Sequence, residues 1–295
     1  LAQKPERKIL GQELYALHGA GYTFEELGKK YGMTQDAVKG LIRTARLSID
    51  PKKDVVHLGS PLELAGNFLI VGDVHVPATD WAFASLVGRV ADKTGIRRLV
   101  IGGDFFNQDL WSRYPQVVTQ PTWREERDAA RVLLHDWLEV FDEIYTIHGN
   151  HDRRLAKFTA GEFDESDVWG LVATSRKMHH SNRGYCTVNS GGQVWRVTHP
   201  RNYGRNQLTV ASDLANKYQC HVITFHEHHS AIGWDVYGHY VCVNSGTLVD
   251  PRKLAYVELE DNRMAAMLKS FVVLRDGVVT VLGEHPYTDW RAWLN

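Results

Sequence analysis

The chain has little cysteine, no long hydrophobic run and almost no net charge. Cys186, Cys220 and Cys242 are odd in number and widely spaced. That excludes a zinc-finger pattern and predicts reduced thiols in a cytoplasmic protein. No apolar stretch approaches the ~20 residues needed to span a bilayer, so no membrane partner is expected. The polar start, Leu1 to Arg7, carries no signal-peptide pattern. Repeats and low-complexity tracts are also missing. With 43% hydrophobic and 23% charged residues in 295, the composition excludes a disordered or fibrous chain and fits one large domain plus a small one. The net charge of −1 is unevenly spread: residues 1–53 hold ten Lys/Arg against six Asp/Glu. A basic head on an acidic body hints at an anionic partner. Histidine is abundant, at 15, with several clustered late in the chain.

The head reads as helical. Ile9, Leu10, Leu14 and Leu17 give Arg7 to Ala20 an apolar stripe, and Gly21 stops it. Thr23 with Glu26 forms a capping-box pattern for a second helix. Gly32-Met33-Thr34 reads as a tight turn, with Thr34 capping a third helix to about Leu47. This predicts a helical domain over 1–50. Residues 51–66, with Pro51, Lys52, Lys53, Gly59 and Pro61, read as a linker, and a second domain follows over 67–295. There, apolar runs at 68–72, 98–102 and 143–147 alternate with helical patterns at 81–92 and 123–142, as in α/β proteins. Later strand candidates are 184–189, 193–198, 220–225, 231–236, 239–243, 254–259, 270–275 and 278–283. Asp276-Gly277 marks a hairpin turn. His179 and His180 are expected in a loop, and Trp290 to Trp293 as a packing anchor.

Five segments at strand ends carry chemistry: Asp73-Val74-His75, Gly103-Asp104-Phe105-Phe106-Asn107, Gly149-Asn150-His151-Asp152, His199, and His226-Glu227-His228. One buried His or Asp is usually a satisfied structural group. The full ordered set is different: carboxylates, imidazoles and one amide suit hard-to-borderline cations. In this order the segments resemble the calcineurin-like metallophosphoesterases, over roughly Phe68 to Leu282. Val243-Asn244-Ser245-Gly246-Thr247 also resembles a family turn. One departure is Phe225, which stands where the family has Gly before His-x-His. The resemblance implies a four-layer α/β/β/α sandwich holding two divalent metal ions, Mn²⁺ foremost, with Fe, Zn, Ni or Mg also accepted by such ligands. It implies that Asp73, His75 and His228 hold one ion, that Asn150, His199 and His226 hold the other, and that Asp104 bridges them. It makes a bridging hydroxide the nucleophile, His151 the general acid or a charge stabiliser, and Asp152 the group that orients or tunes His151.

Residues 23–46 resemble a helix-turn-helix of the sigma-factor or resolvase type, with Phe24, Leu27, Tyr31, Met33, Val38, Leu41 and Ile42 at core positions. Gln35, Lys39, Arg43 and Arg46 are then outward candidates for DNA contact; a small packing or oligomerisation module needs the same apolar spacing. Asn107, Arg113, Arg201 and Arg205 are candidates for substrate contact, since arginines clamp phosphate. Trp111 and Tyr114 either stack on a base or pack their loop down. The combination looks like phage-encoded or bacterial metallophosphoesterases. The expected activity is a dinuclear metal-dependent DNA phosphodiesterase, a nuclease. One alternative is a phosphomonoesterase or small-nucleotide phosphodiesterase with a partner-binding head. The other is a DNA-binding protein whose metal site is structural.

Overall fold

Phe68 and Ile70 point to one side of their strand and Leu69 and Val71 to the other, and all four are buried. A strand buried on both faces belongs at the centre of a layered structure. The computed structural model describes residues 10–11, 13–15, 17–18, 22–49, 60–112, 119–173, 175–254, 267–284 and 288–294, with the backbone alone at 44 and 46–49. Two units are distinguished, Leu1–Leu58 and Gly59–Asn295.

In the first unit, helix α1 spans Phe24–Tyr31 and α2 spans Gln35–Ile49. The capping box forms: Glu26 N donates to Thr23 Oγ1 (3.2 Å) and Thr23 N to Glu26 Oε2 (2.8 Å). Gly32 ends α1 in the left-handed region, φ 61°, which glycine adopts without the usual penalty. A Cβ on Gly28 would lie 2.7 Å from the Met33 carbonyl oxygen, so this glycine lets the turn close on α1. Leu14, Leu27, Val38 and Ile42 form the small core.

Among the described residues, the second unit holds two six-stranded sheets. One has strands β1 (Glu63–Ala65), β6 (Tyr185–Ser190), β7 (Gln193–Thr198), β8 (His221–Thr224), β10 (Val241–Ser245) and β9 (Ser230–Trp234), in that order. The other runs β12 (Val278–Gly283), β11 (Ser270–Arg275), β2 (Phe68–Val71), β3 (Arg98–Ile101), β4 (Glu143–Thr146) and β5 (Met178–His180). Phe68, Ile70, Val100, Val197, Ile223 and Val272 fill the space between the sheets. Helices α3 (Trp81–Thr94), α4 (Trp123–Val140) and α6 (Glu165–Val172) cover one outer face, and α7 (Thr209–Tyr218) packs on the other. This is the α/β/β/α sandwich. Trp290, on the short helix α8 (Trp290–Leu294), anchors against Phe83 and Phe271 at 6.1 and 6.2 Å between ring centroids. No helix among the described residues is long and apolar enough to cross a membrane.

Some elements differ from expectation. Residues 63–65 are strand rather than linker, because they pair in parallel with Thr187–Asn189. His179 and His180 lie on β5, paired with Tyr145 and Thr146, not in a loop. Helix α7 was not predicted, and Leu208 at its N-cap offers no side-chain hydrogen bond. Most of the 254–259 strand expectation falls outside the described residues.

Within α4, Glu126 is 3% exposed and both its oxygens accept from Gln108 N, at 2.9 and 3.1 Å. Burial pushes its carboxyl from the usual 4.5 up to about 8. The folded state therefore holds a proton that the unfolded chain releases, so this group costs stability as pH rises from about 4.5 to about 8. Glu126→Gln keeps one acceptor for Gln108 and removes the titration. Its melting temperature relative to wild type should rise between pH 5 and pH 8, and a difference independent of pH would refute the assignment.

Candidate metal centre

Each motif leaves the C-terminal end of a parallel strand: Asp73 and His75 after β2, Asp104 after β3, Asn150 after β4, His199 after β7, and His226 and His228 after β8. The loops are stitched together. The Asp104 carbonyl accepts from Val74 N and His75 N at 2.9 and 3.0 Å, and Thr247 Oγ1 donates to the Asp73 carbonyl at 2.6 Å. Asp73, His75, Asp104, His226 and His228 all have positive φ, between 47° and 85°. Such conformations cost about 1–3 kcal/mol each in a non-glycine residue and gather at functional sites. Gly149 is required for a different reason, since a Cβ there would lie 2.0 Å from Asp104 Oδ1.

Phe225 has its own seat. A Cβ on Gly72 would lie 2.3 Å from its ring and one on Gly102 2.1 Å. Two glycines ahead of the first two motifs thus make room for a buried phenylalanine, and the loop to His226 and His228 proceeds with Phe225 fully buried.

Among the described residues, three groups could each hold an ion: Asp73, His75 and His228; Asp104, His199 and His226; and His75, Asp104 and His151. The hydrogen bonds aim Nε2 of three rings inward. His199 Nδ1 donates to the Gly102 carbonyl (3.1 Å), leaving Nε2 3.2 Å from both Asp104 Oδ2 and Asn150 Oδ1. His75 Nδ1 donates to Asn107 Oδ1 (3.2 Å), and His228 Nδ1 to Met267 Sδ (3.4 Å). The Nε2 atoms of His75 and His228 then face each other at 3.3 Å. Asp73 Oδ1, buried and without a hydrogen-bond partner, lies 3.3 Å from His228 Nε2. An orphaned carboxylate oxygen opposite two ring nitrogens fits a divalent cation.

The electrostatics agree. Burial alone would raise the pKa of both carboxyls, but His228 foremost holds Asp73, and His199 foremost holds Asp104, well below the usual range. Burial disfavours charge on His199, yet Asp104 outweighs it and pushes the ring up to about 9. A proton and a cation therefore compete for that nitrogen.

The family model for calcineurin-like phosphoesterases matches residues 66–285. The chain belongs to that family. As a calcineurin-like phosphoesterase it is a metal-dependent hydrolase of phosphate esters. Similar solved structures include Vps29 of Chaetomium thermophilum, with TM-score 0.39 and 10% identity over 74% of this chain and 96% of that one. Vacuolar protein sorting 29 of Cryptosporidium parvum gives 0.38 and 14% over 74% and 96%. Vps29 of Entamoeba histolytica complexed with zinc gives 0.34 and 13% over 74% and 97%. Among curated proteins, no sequence matches.

Around the phosphoesterase centre several residues take places the sequence did not suggest. Asp152 makes no hydrogen bond to the His151 ring; its carboxylate accepts from the amides of Asp104, Phe106 and Gly149 at 2.8, 3.1 and 2.8 Å. Burial and the charge of Asp104 push it up to about 6. His151 is oriented instead by Nδ1 donating to the Asn107 carbonyl (2.7 Å), while its Nε2 accepts from Arg154 Nη2 (2.8 Å). Burial foremost, with His75 and Arg154, holds His151 well below the ordinary histidine range. Arg154 is fixed by Asp109 and the Asn107 carbonyl. Asn107 is buried, its amide spent on His75 and Asp109 (2.8 Å), so it braces a ring instead of facing substrate.

A cleft of about 800 Å³ adjoins the centre, lined by Asn150, His226, Arg154, Lys157, Phe158 and Arg201. Trp111 also reaches it, but packs on Trp123 at 5.6 Å, which favours its loop-packing role. Glu227, buried, accepts from Gly204 N (2.5 Å) and Asn244 Nδ2 (2.7 Å) and so braces the loop that carries Arg201. Arg205 is exposed and is not among the residues lining this cleft. Arg113 and Tyr114 lie outside the described residues. On α2, Gln35, Lys39 and Arg43 are exposed, whereas the Arg46 side chain is not described. His229 is fully buried, and neither of its ring nitrogens has a hydrogen-bond partner.

Proposed function

We propose that the chain is a metal-dependent DNA phosphodiesterase. The observation that carries this reading is the position of the cleft: it joins the histidine–aspartate centre to Arg154, Lys157 and Arg201, three cations beside the place where a phosphate would react. Its volume exceeds what a lone phosphate needs and lies in the range of pockets for whole ligands. Asp73, His75 and His228 would hold one divalent ion and Asn150, His199 and His226 the other, with Asp104 between them. Bound there, the cations would polarise a phosphate oxygen and make a coordinated water acidic. Arg154 supplies a rigid guanidinium for a non-bridging phosphate oxygen, at the point where it now caps His151 Nε2. With Arg154 Nη2 turned to phosphate, the neutral His151 Nε2 would be free to take the proton that the attacking water loses and to pass it to the leaving oxygen. The exposed Gln35, Lys39 and Arg43 support DNA as the partner of the helical unit.

The test is a panel of labelled single- and double-stranded DNA, RNA, cyclic nucleotides and nitrophenyl esters, each with Mn²⁺ and other divalent ions. DNA should be cleaved, and bis(p-nitrophenyl) phosphate should be hydrolysed faster than the monoester. DNA affinity should fall steeply with salt, and Lys39→Ala or Arg43→Ala should each lower the slope of log K against log salt by about 1. Rapid monoester hydrolysis without DNA cleavage would favour the phosphomonoesterase reading instead.

A further inference from the structure

Phe158 is the last residue of the short helix α5 (Arg154–Phe158) and is 70% exposed, although it lines the cleft beside the metal centre. A single exposed phenylalanine on an open surface needs no explanation. This one shares its cleft with Asn150 and His226 and with the cations Arg154, Lys157 and Arg201. Arg154 and Phe158 are four residues apart on one helix, so they project from the same side with Cβ atoms about 6 Å apart. Asp109 and the Asn107 carbonyl hold the guanidinium in place, and the chain from Glu126 through Gln108 to Leu155 N holds the helix, with Gln108 Oε1 accepting at 3.0 Å. A cation tethered by Asp109 for phosphate and an exposed apolar ring one helical turn away match the reach from a phosphate to its own base.

Resting on the nuclease reading above, we propose that Phe158 is a base-stacking platform that makes the cleft select unpaired nucleotides. A base inside a duplex has both faces covered by its neighbours, so the ring can stack only on a single-stranded or frayed base. The preference is tolerant of sequence, since every base offers a π-face. The substrate class is thus single-stranded DNA or the unpaired end of a duplex, with phosphates held by Arg154, Lys157 and Arg201.

The experiment uses the full chain and three probes of equal length: a fluorescein-labelled oligothymidylate, the same backbone without bases, and a blunt duplex. Binding is followed by anisotropy at fixed ionic strength without metal, and cleavage with Mn²⁺. Wild type should bind the oligothymidylate more tightly than the abasic strand and cleave it faster than the duplex. In Phe158→Ala the ratio of abasic to oligothymidylate Kd should drop by about tenfold. Phe158→Trp should restore the ratio, and oligothymidylate should quench the fluorescence that the variant adds. An unchanged ratio in Phe158→Ala, or equal cleavage of duplex and single strand by wild type and variant, overturns the stacking role while leaving the nuclease intact. If wild type neither binds nor cleaves any of the three, the nuclease reading fails and this inference with it.

Discussion

Asp104→Asn is expected to lower kcat for phosphoester hydrolysis by about 10³-fold or more, with little loss of thermal stability. The residue is 1% exposed and its two oxygens have separate tasks. Oδ1 accepts from His151 N at 2.7 Å, which holds the loop of the third motif. Oδ2 lies 3.2 Å from His199 Nε2 and 3.9 Å from His75 Nε2, between the two ligand groups. In the asparagine variant the carbonyl oxygen keeps the bond to His151 N, so the amide NH₂ turns toward His199 and His75. It then donates to the nitrogen lone pairs that a cation would use. The charge that would offset repulsion between two close cations is lost as well. Calorimetric titration with Mn²⁺ should show at least one of the two ions bound much more weakly. A variant with activity within tenfold of wild type would remove Asp104 from the reacting centre.

The chemistry was legible because it rests on residue types that seldom gather without cause. Acidic, amide and imidazole groups stand at the ends of apolar runs, and a strand's end is where an α/β sheet delivers side chains to a shared edge. Their supports were not legible in that way. Arg154 follows Asp152 by two residues, and only the packing of α5 against the second-motif loop brings it onto His151. Glu227 lies between two histidines of a motif, yet its carboxylate serves the loop of Arg201 and β10. Phe225 departs from the family pattern, and its compensation lies in Gly72 and Gly102, more than a hundred positions earlier. Short elements were hidden for a related reason. Three-residue strands such as β1 and β5 have too little sequence to show a period and exist through their neighbours. Helix α7 lacks a side-chain cap, so its start has no signature.

The same distinction between reacting and supporting groups predicts that Asp152→Asn will act first on stability. The wild-type carboxylate is 2% exposed and gathers three amides from two loops: Asp104 and Phe106 after β3, and Gly149 after β4. It has no other hydrogen-bond task, and its side chain makes no bond to His151. An asparagine offers one acceptor where two oxygens served, and sets its own NH₂ against a backbone N–H. At least one buried amide loses its partner, at about 1–3 kcal/mol, and the opposed donors add a similar penalty. At about 2–4 °C per kcal/mol for a unit of this size, a loss of about 2–6 kcal/mol should lower melting by roughly 4–24 °C. Activity measured well below that transition should decline less than in Asp104→Asn, because the ligand side chains keep their charges. Metal affinity should weaken by about 10–100-fold, as when groups that orient ligands are changed, because Asp104 N is one of the three amides that the Asp152 carboxylate holds. A variant that melts with wild type but has lost turnover would reverse this assignment and place the Asp152 carboxylate in the reaction itself.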